Sequence, residues 1–270
     1  MKKIAISFAL VVAFTSANAQ LPQLGKAPNS KIINAIMVVE KARLIMGLGM
    51  NVPGFNAVKD VVSGTVNPSG KLETAFPVDY ADAASAKGFP GTPAEMPTNV
   101  KYIDGIYVGY RFFEKNKVPV TYPVGYGLSY TDFAYSNLKI SSDVFTNELG
   151  VTADITNTGK TAGREVVEMY LGASAEKMGK PVKELKGFTK TDLLLPGKKQ
   201  TVTFIISKRD LASFDETQNA WVADKGLYKI YISSSSADTK LNTAFTLPNN
   251  LVVQKVNNVL APKQQVTELH

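Results

Sequence analysis

From residue 133 onward, apolar and polar positions alternate with a period of two. Val151, Ala153 and Ile155 interleave with Thr152 and Asp154, and the same rhythm returns in "REVVEMYL" (164–171), "TVTFIIS" (201–207), "GLYKIYIS" (226–233) and "NTAFTL" (242–247). Alternation over four to eight residues puts one set of side chains on each face of a strand, so each run predicts a half-buried β-strand. The clusters "NTGKTAG" (157–163), "LPGKK" (195–199) and "ADKG" (223–226) separate the runs with turn-forming residues. The inward set is predicted to be Val151, Ile155, Val167, Met169, Val202, Phe204, Ile206, Tyr228, Ile230 and Phe245. Each contributes about 1.5–3 kcal/mol on full burial, enough for independent folding. "RDLASFD" (209–215), followed by Trp221, reads as an inter-sheet crossover in which Asp210 and Asp215 serve as cap and turn residues.

Before residue 133 the period changes. Ile32, Ile33, Ile36, Met37, Glu40 and Leu44 recur at helical intervals and predict a helix over 29–47, with Asn29 or Ser30 as N-cap. A second helix is predicted over 56–64, ending at Gly64, then a turn at 67–70, a strand near 71–76, and a long surface loop over 79–101 rich in proline. The segment 102–113 is dense in aromatics and reads as a strand with Gly105, Tyr107, Gly109 and Arg111 on one face and Asp104, Tyr110 and Phe112 on the other. Glycines weaken a strand unless a backbone or ring comes close above them, so this face is expected to lie against a neighbour. A clamp between domains and a wall that stacks on sugar rings both fit these residues. Several short strands spaced by glycine turns, with no cysteine pair, indicate a β-sandwich of immunoglobulin or fibronectin type III kind over 133–248. Lys183, Lys186 and Lys190 are expected to form a wet strand edge. The tail, 249–270, is apolar at Leu251, Val252 and Val256 and is expected to run along another domain or lie loose.

Composition narrows the chemistry. Lys2 and Lys3 precede the apolar run "IAISFALVVAF" and the small-residue site "ANA" (17–19), a secretory signal peptide over 1–19 that implies a periplasmic or secreted protein. No later segment approaches the roughly 18 apolar residues of a membrane span. The formal charge of +7 falls to +5 without Lys2 and Lys3, and the remaining charges are interspersed, which disfavours a nucleic-acid groove. There is no cysteine, and the one histidine is His270, so thiolate and imidazole metal sites and Ser-His-Asp triads are excluded. No phosphate-binding glycine loop is present, and no metal or organic cofactor is expected. Carboxylate chemistry is the main option left.

The motifs "VNPSGKL" (66–72), "DGIYVGYRFF" (104–113), "PVGYGLSYTDFAYSNL" (123–138), "VTADITNTGKTAGREVVEMYL" (151–171), "PVKELKGFTK" (181–190), "LLPGKKQTVTF" (194–204) and "WVADKGLYKIYISSSS" (221–236) strongly resemble, in order, the C-terminal part of glycoside hydrolase family 3. This is the β-glucosidase and β-xylosidase group. The resemblance implies a mainly β fold: a C-terminal fibronectin type III-like (immunoglobulin-like) β-sandwich over 133–248, preceded by a short helical remnant over 20–100 and an aromatic strand/loop bridge over 101–132. The bridge would join a catalytic half to the sandwich.

Such enzymes retain configuration with two carboxylates roughly 5–5.5 Å apart. The resemblance places the nucleophilic aspartate in an N-terminal barrel, in a Ser-Asp-Trp context, and the acid/base glutamate in the following α/β sandwich domain. Neither motif is found here, and such a barrel alone needs about 250 residues. "EKARLIMGLGMNVPG" (40–54) resembles the opening of a full-length member and "NAVKDVVSGTVNPSGKL" (56–72) the end of its sandwich domain, so an internal deletion near Pro53 and Gly54 is expected. No catalytic residue is assigned. Asp104, beside Arg111 and Glu114, is expected to pair with Arg111, with hydrogen bonding to a sugar as the alternative. Asp104, Tyr107, Arg111 and Tyr126 are the candidate substrate-binding residues. The implied ligand is an oligosaccharide or glycoside, and uncovered bridge aromatics would favour self-association.

Overall fold

In the computed structural model the described residues are 9–11, 36–38, 52–91, 93, 95–96, 98, 100, 103–173, 179–257 and 259. The chain divides into two units, Met1–Asn67 and Pro68–His270. In the first, strand β1 (Ala9–Val11) pairs antiparallel with β2 (Ile36–Val38), and helix α1 runs over Val52–Val62. The helix expected over 29–47 is therefore strand at its centre. Ile36 and Val38 are β-branched and suit a strand once another apolar segment is available to pair with them. That partner lies inside the expected signal peptide, a non-local circumstance that helical spacing cannot reveal. α1 matches the helix expected over 56–64 but starts earlier, and Gly64 follows it at φ 73°, a conformation suited to glycine.

The second unit opens with irregular chain in place of the turn and strand expected over 67–76, and only β3 (Phe76–Pro77) is strand. One-turn 3₁₀ helices at Tyr80–Asp82 and Ala84–Lys87 interrupt the segment expected as loop. Asp79 caps the first by accepting from the Ala81 amide at 3.0 Å. The aromatic segment is not the strand expected over 102–113. It makes a turn at Gly105 and Ile106 and then helix α2 (Tyr110–Asn116). The glycines decide this: Gly105 and Gly109 sit at φ 57° and 56°, outside strand geometry, and Gly109 opens the helix with ψ −136°. A Cβ on Gly109 would meet nothing within 4 Å, so the expected close neighbour is absent there. β4 (Val120–Tyr122) returns antiparallel to β3.

Seven strands build the sandwich. β5 (Phe133–Ile140), β6 (Glu148–Asn157) and β9 (Lys199–Ser207) form one sheet in the order β5-β6-β9. β7 (Val166–Gly172), β8 (Glu184–Lys190), β12 (Gly226–Ser235) and β13 (Asp238–Leu247) form the other in the order β13-β12-β7-β8. All pairings are antiparallel. All ten residues expected in the core are buried in its main cluster, joined by Phe145, Leu149, Leu171, Leu211 and Ile232. The crossover contains the short helix α3 (Lys208–Leu211), with Ser207 and Asp210 forming a reciprocal cap.

A third sheet was not foreseen. β10 (Ser213–Asp215) and β14 (Leu251–Lys255) flank β11 (Ala220–Ala223), so the tail expected to lie loose begins as a sheet strand. The Arg209 guanidinium, 3.7 Å from the centre of the Trp221 ring, also reaches Gln254 at 3.1 Å and ties the tail strand to its sheet.

Candidate functional site

β7 is buried on both sides. Val167, Met169 and Leu171 enter the sandwich core, whereas Glu168 and Tyr170 face the other way and are buried too. The polypeptide from Lys71 to Tyr126 supplies the cover. The Tyr110 ring meets the Tyr170 ring edge-on at 5.7 Å, and its hydroxyl accepts from the Leu185 amide at 2.8 Å. The Ser236 amide donates to the Val124 carbonyl at 2.8 Å.

Charges fasten this cover. Lys71 Nζ donates to Glu165 Oε1 at 2.8 Å and to the Ser234 carbonyl at 2.9 Å, and the Tyr135 hydroxyl donates to the same Glu165 oxygen at 2.9 Å. Arg111 pairs with Glu184 at 3.2 Å. Lys183 pairs with Glu114 at 3.4 Å, donates to the Ser236 carbonyl, and stands 5.1 Å from the centre of the Tyr170 ring. The Tyr170 hydroxyl donates to Glu168 at 2.7 Å.

Burial pushes the Glu168 carboxyl up, while the Tyr170 hydrogen bond and the nearby Lys71 pull it back. Glu114 is raised by burial and lowered by Lys183. The Tyr135 and Tyr170 hydroxyls are raised far above the usual tyrosine range, first by burial and then by Glu165 and Glu168 respectively, so both remain proton donors. The glycines of "PVGYG" belong to this packing. A Cβ at Gly125 would strike the Glu168 carboxylate, and one at Gly127 would lie 2.6 Å from the Gly70 carbonyl oxygen.

Of the four residues singled out in the sequence, Tyr107, Arg111 and Tyr126 each meet a different neighbour. Asp104 does not pair with Arg111, because α2 turns Arg111 toward Glu184 on β8, and Asp104 Oδ1 is buried without a hydrogen-bond partner. Tyr107 is buried, with the Lys115 ammonium 3.7 Å from its ring centre. Tyr126 packs on Tyr122 at 4.8 Å between ring centres. Nor is Lys183 a wet edge lysine: its side chain is 11% exposed and lies within the clamp, while Lys186 pairs with Glu184 at 3.2 Å. Sequence reasoning missed Lys71, Tyr135, Glu165, Glu168 and Tyr170. One signal was available, in that Glu168 and Tyr170 occupy the outward positions of a strand whose inward positions are fully apolar.

A recess of about 350 Å³ opens beside the clamp, walled by Ala75, Tyr110, Phe113, Val120 and Pro123. Glu114 is the single carboxylate in its lining, and it is occupied by Lys183. Among the described residues no cluster of three or more His, Cys, Asp or Glu side chains is placed to hold a metal ion, and no helix is long and apolar enough to cross a membrane.

The fold and clamp define a β-sandwich carrying a fixed aromatic bridge, and residues 165–236 match the fibronectin type III-like domain family. The chain is 37% identical over 240 residues to β-glucosidase A of Butyrivibrio fibrisolvens, covering 81% of this chain and 28% of that protein. It is 38% identical to β-glucosidase BoGH3A of Bacteroides ovatus, covering 71% and 26% respectively. The structure of β-glucosidase 3B from Thermotoga neapolitana in complex with α-D-glucose superposes with a TM-score of 0.70 at 44% identity, over 73% of this chain and 27% of that one. Over this matched portion the chain is similar to β-glucosidases of glycoside hydrolase family 3. It spans about a quarter of the length of these relatives.

Proposed function

We propose that this chain is the non-catalytic, C-terminal kind of portion of a secreted family 3 β-glycosidase, in a lineage that hydrolyses terminal β-glucosyl or β-xylosyl residues, and that it has no turnover by itself. One observation carries the reading. Retaining hydrolysis needs two facing carboxylates roughly 5–5.5 Å apart beside a sugar-sized cleft. The recess here is lined by one carboxylate, and that one is neutralised by Lys183. The glutamates buried among the described residues, Glu165 and Glu168, are engaged by Lys71, Tyr135 and Tyr170. The lysine pair, apolar run and small-residue site of residues 1–19 support export to the periplasm or beyond, and the activity of the lineage would need no metal or cofactor.

Incubating the purified chain with a chromogenic aryl-β-glucoside and an aryl-β-xyloside tests this. Release of the chromophore no faster than in buffer is expected, and saturable turnover by the chain alone would overturn the reading.

A second reading, a protein-binding module, is favoured by the apolar side chains left exposed over 76–108, among them Phe76, Val78, Tyr80, Phe89 and Met96. Self-association through the bridge would use the same region. Of the bridge aromatics, Tyr107 and Phe113 are buried, Tyr110, Phe112, Tyr122 and Tyr126 are half-buried, and Tyr130 is exposed.

A further inference from the structure

The recess beside the clamp has walls of nearly one chemical kind. Tyr110, Phe113 and Glu114 share a face of α2 at spacings of three and four, Val120 and Pro123 come from β4 and the residues after it, and Ala237 comes from the turn between β12 and β13. Its volume of about 350 Å³ lies within the range of small-molecule sites, about 300–1,000 Å³. The walls are fixed before any ligand arrives. Tyr110 is held by the Leu185 amide at 2.8 Å and by the edge of Tyr170, Phe113 is buried, and the Ser236 amide anchors the turn to the Val124 carbonyl at 2.8 Å. A preformed site spares a ligand the cost of ordering it.

We propose that this recess binds a small, neutral aromatic alcohol of the phenol type, which lays its ring against Tyr110 and Phe113 and donates its hydroxyl to Glu114. Charge selects the neutral form. Lys183 and Glu114 stand 3.4 Å apart and cancel one another, so a cationic ligand would meet the Lys183 ammonium and an anionic one the Glu114 carboxylate. A carboxylate still has roughly four acceptor sites, of which Lys183 takes one, and a single hydroxyl can use another. A sugar fits poorly, because several of its hydroxyls would face Phe113, Val120 and Pro123 and lose their hydrogen bonds to water without replacement. An aromatic ring gains over an aliphatic one from edge and offset contacts with Tyr110 and Phe113. Binding of this kind asks for no turnover, so it stands apart from the reading of the chain as a portion of a glycosidase.

Titrating phenol into the isotope-labelled full chain, with its amide and methyl resonances followed by NMR, tests this. Shifts concentrated at Phe113, Val120 and Ala237 and saturating with a Kd on the order of 1 mM are expected, the range open to a ligand of so few atoms. Glucose should move none of these resonances, and benzoate and benzylammonium should bind at least about tenfold more weakly than phenol. Ala237→Phe plants a ring at the recess. Because Ala237 is an exposed turn residue, the melting temperature should hold while phenol affinity falls at least about tenfold. No saturable shift at these residues in the parent chain would overturn the proposal, and so would phenol binding that survives Ala237→Phe in a folded variant. Glucose or either charged probe binding as tightly as phenol would overturn it as well. The shift map of the parent chain decides the matter by itself should the variant not fold.

Discussion

Replacing Lys71 with Met should cost far more than the loss of a surface lysine. Lys71 and Glu165 are 13% and 9% exposed at their side chains and 2.8 Å apart, so both charges have left water. Exposed pairs are worth about 0–1 kcal/mol, but removing one partner of a buried pair strands the other charge and costs about 3–5 kcal/mol. The Tyr135 hydroxyl still reaches Glu165 after the substitution, which places the expectation for Lys71→Met at the lower end, about 3 kcal/mol. For a cooperative unit of this size that corresponds to a fall in Tm of roughly 6–12 °C. Should the bridge open locally instead, hydrogen exchange reports it. The Ser236 and Leu185 amides, bonded to Val124 and Tyr110 across the clamp, would exchange roughly a hundredfold faster while the β6–β9 ladder stays protected. Adding Glu165→Gln should recover part of the loss, since the amide is neutral and its oxygen can still accept from Tyr135. Lys240→Met is the control: it removes an exposed pair, Lys240 with Asp238, and should change stability by less than about 1 kcal/mol. If Lys71→Met behaves like that control in both denaturant melts and exchange, the clamp is not what holds the bridge.

Three further outcomes are expected. Asp154, bonded by Asn137, Lys199 and Thr201, is held well below the usual carboxylate range; its stabilisation is complete above the unfolded value near 4 and is lost as pH falls below it, so denaturant melts of Asp154→Asn should show a flatter acid limb than the parent. Glu168 has the opposite sign: burial raises its folded value, so ionisation costs stability as pH rises above the ordinary glutamate range, and Glu168→Gln should gain stability at pH 7 relative to pH 4, a gain that melts at the two pH values would detect or deny. Gly109→Ala should cost about 1–3 kcal/mol by thermal melting, from backbone strain at φ 56°, ψ −136° and not from a clash, since nothing lies within 4 Å of the added methyl.

The sandwich was legible because a period of two is a local property. Val151, Ile155, Val202 and Phe204 declare their face without reference to any other strand, and the structure buries each of them. What stayed hidden depends on a second contact. Tyr107, Tyr110 and Phe112 are good strand formers, and only the backbone angles at Gly105 and Gly109 convert their segment into a turn and a helix. β14 pairs through its backbone with β11, and Leu251 and Val252 carried no periodic signal that named that partner. The candidate site was the least legible of all. Asp104 and Arg111 are close in sequence, but helical geometry sends Arg111 to Glu184, some seventy residues away.

The clamp's chemistry also explains why so many ionisable groups, buried together, need not signal catalysis. Carboxylates out of water mark active sites when they face an open volume with a free proton or lone pair. Here Glu165 accepts from Lys71 and Tyr135, Glu168 accepts from Tyr170, and Glu114 and Glu184 meet Lys183 and Arg111. The pairs made by Glu165, Glu114 and Glu184 fix one polypeptide segment against a sheet, and the bonds from Tyr135 and Tyr170 lie within the sandwich itself. An apolar interface of equal area would hold the bridge as tightly, but it would tolerate sliding. Lys71, at 2.8 Å from Glu165 and 2.9 Å from the Ser234 carbonyl, does not, because its two acceptors fix the ammonium in one place. Lys71, Arg111 and Glu114, each paired with a residue of the sandwich unit's strands or their flanks, thereby hold the covering segment in a single register.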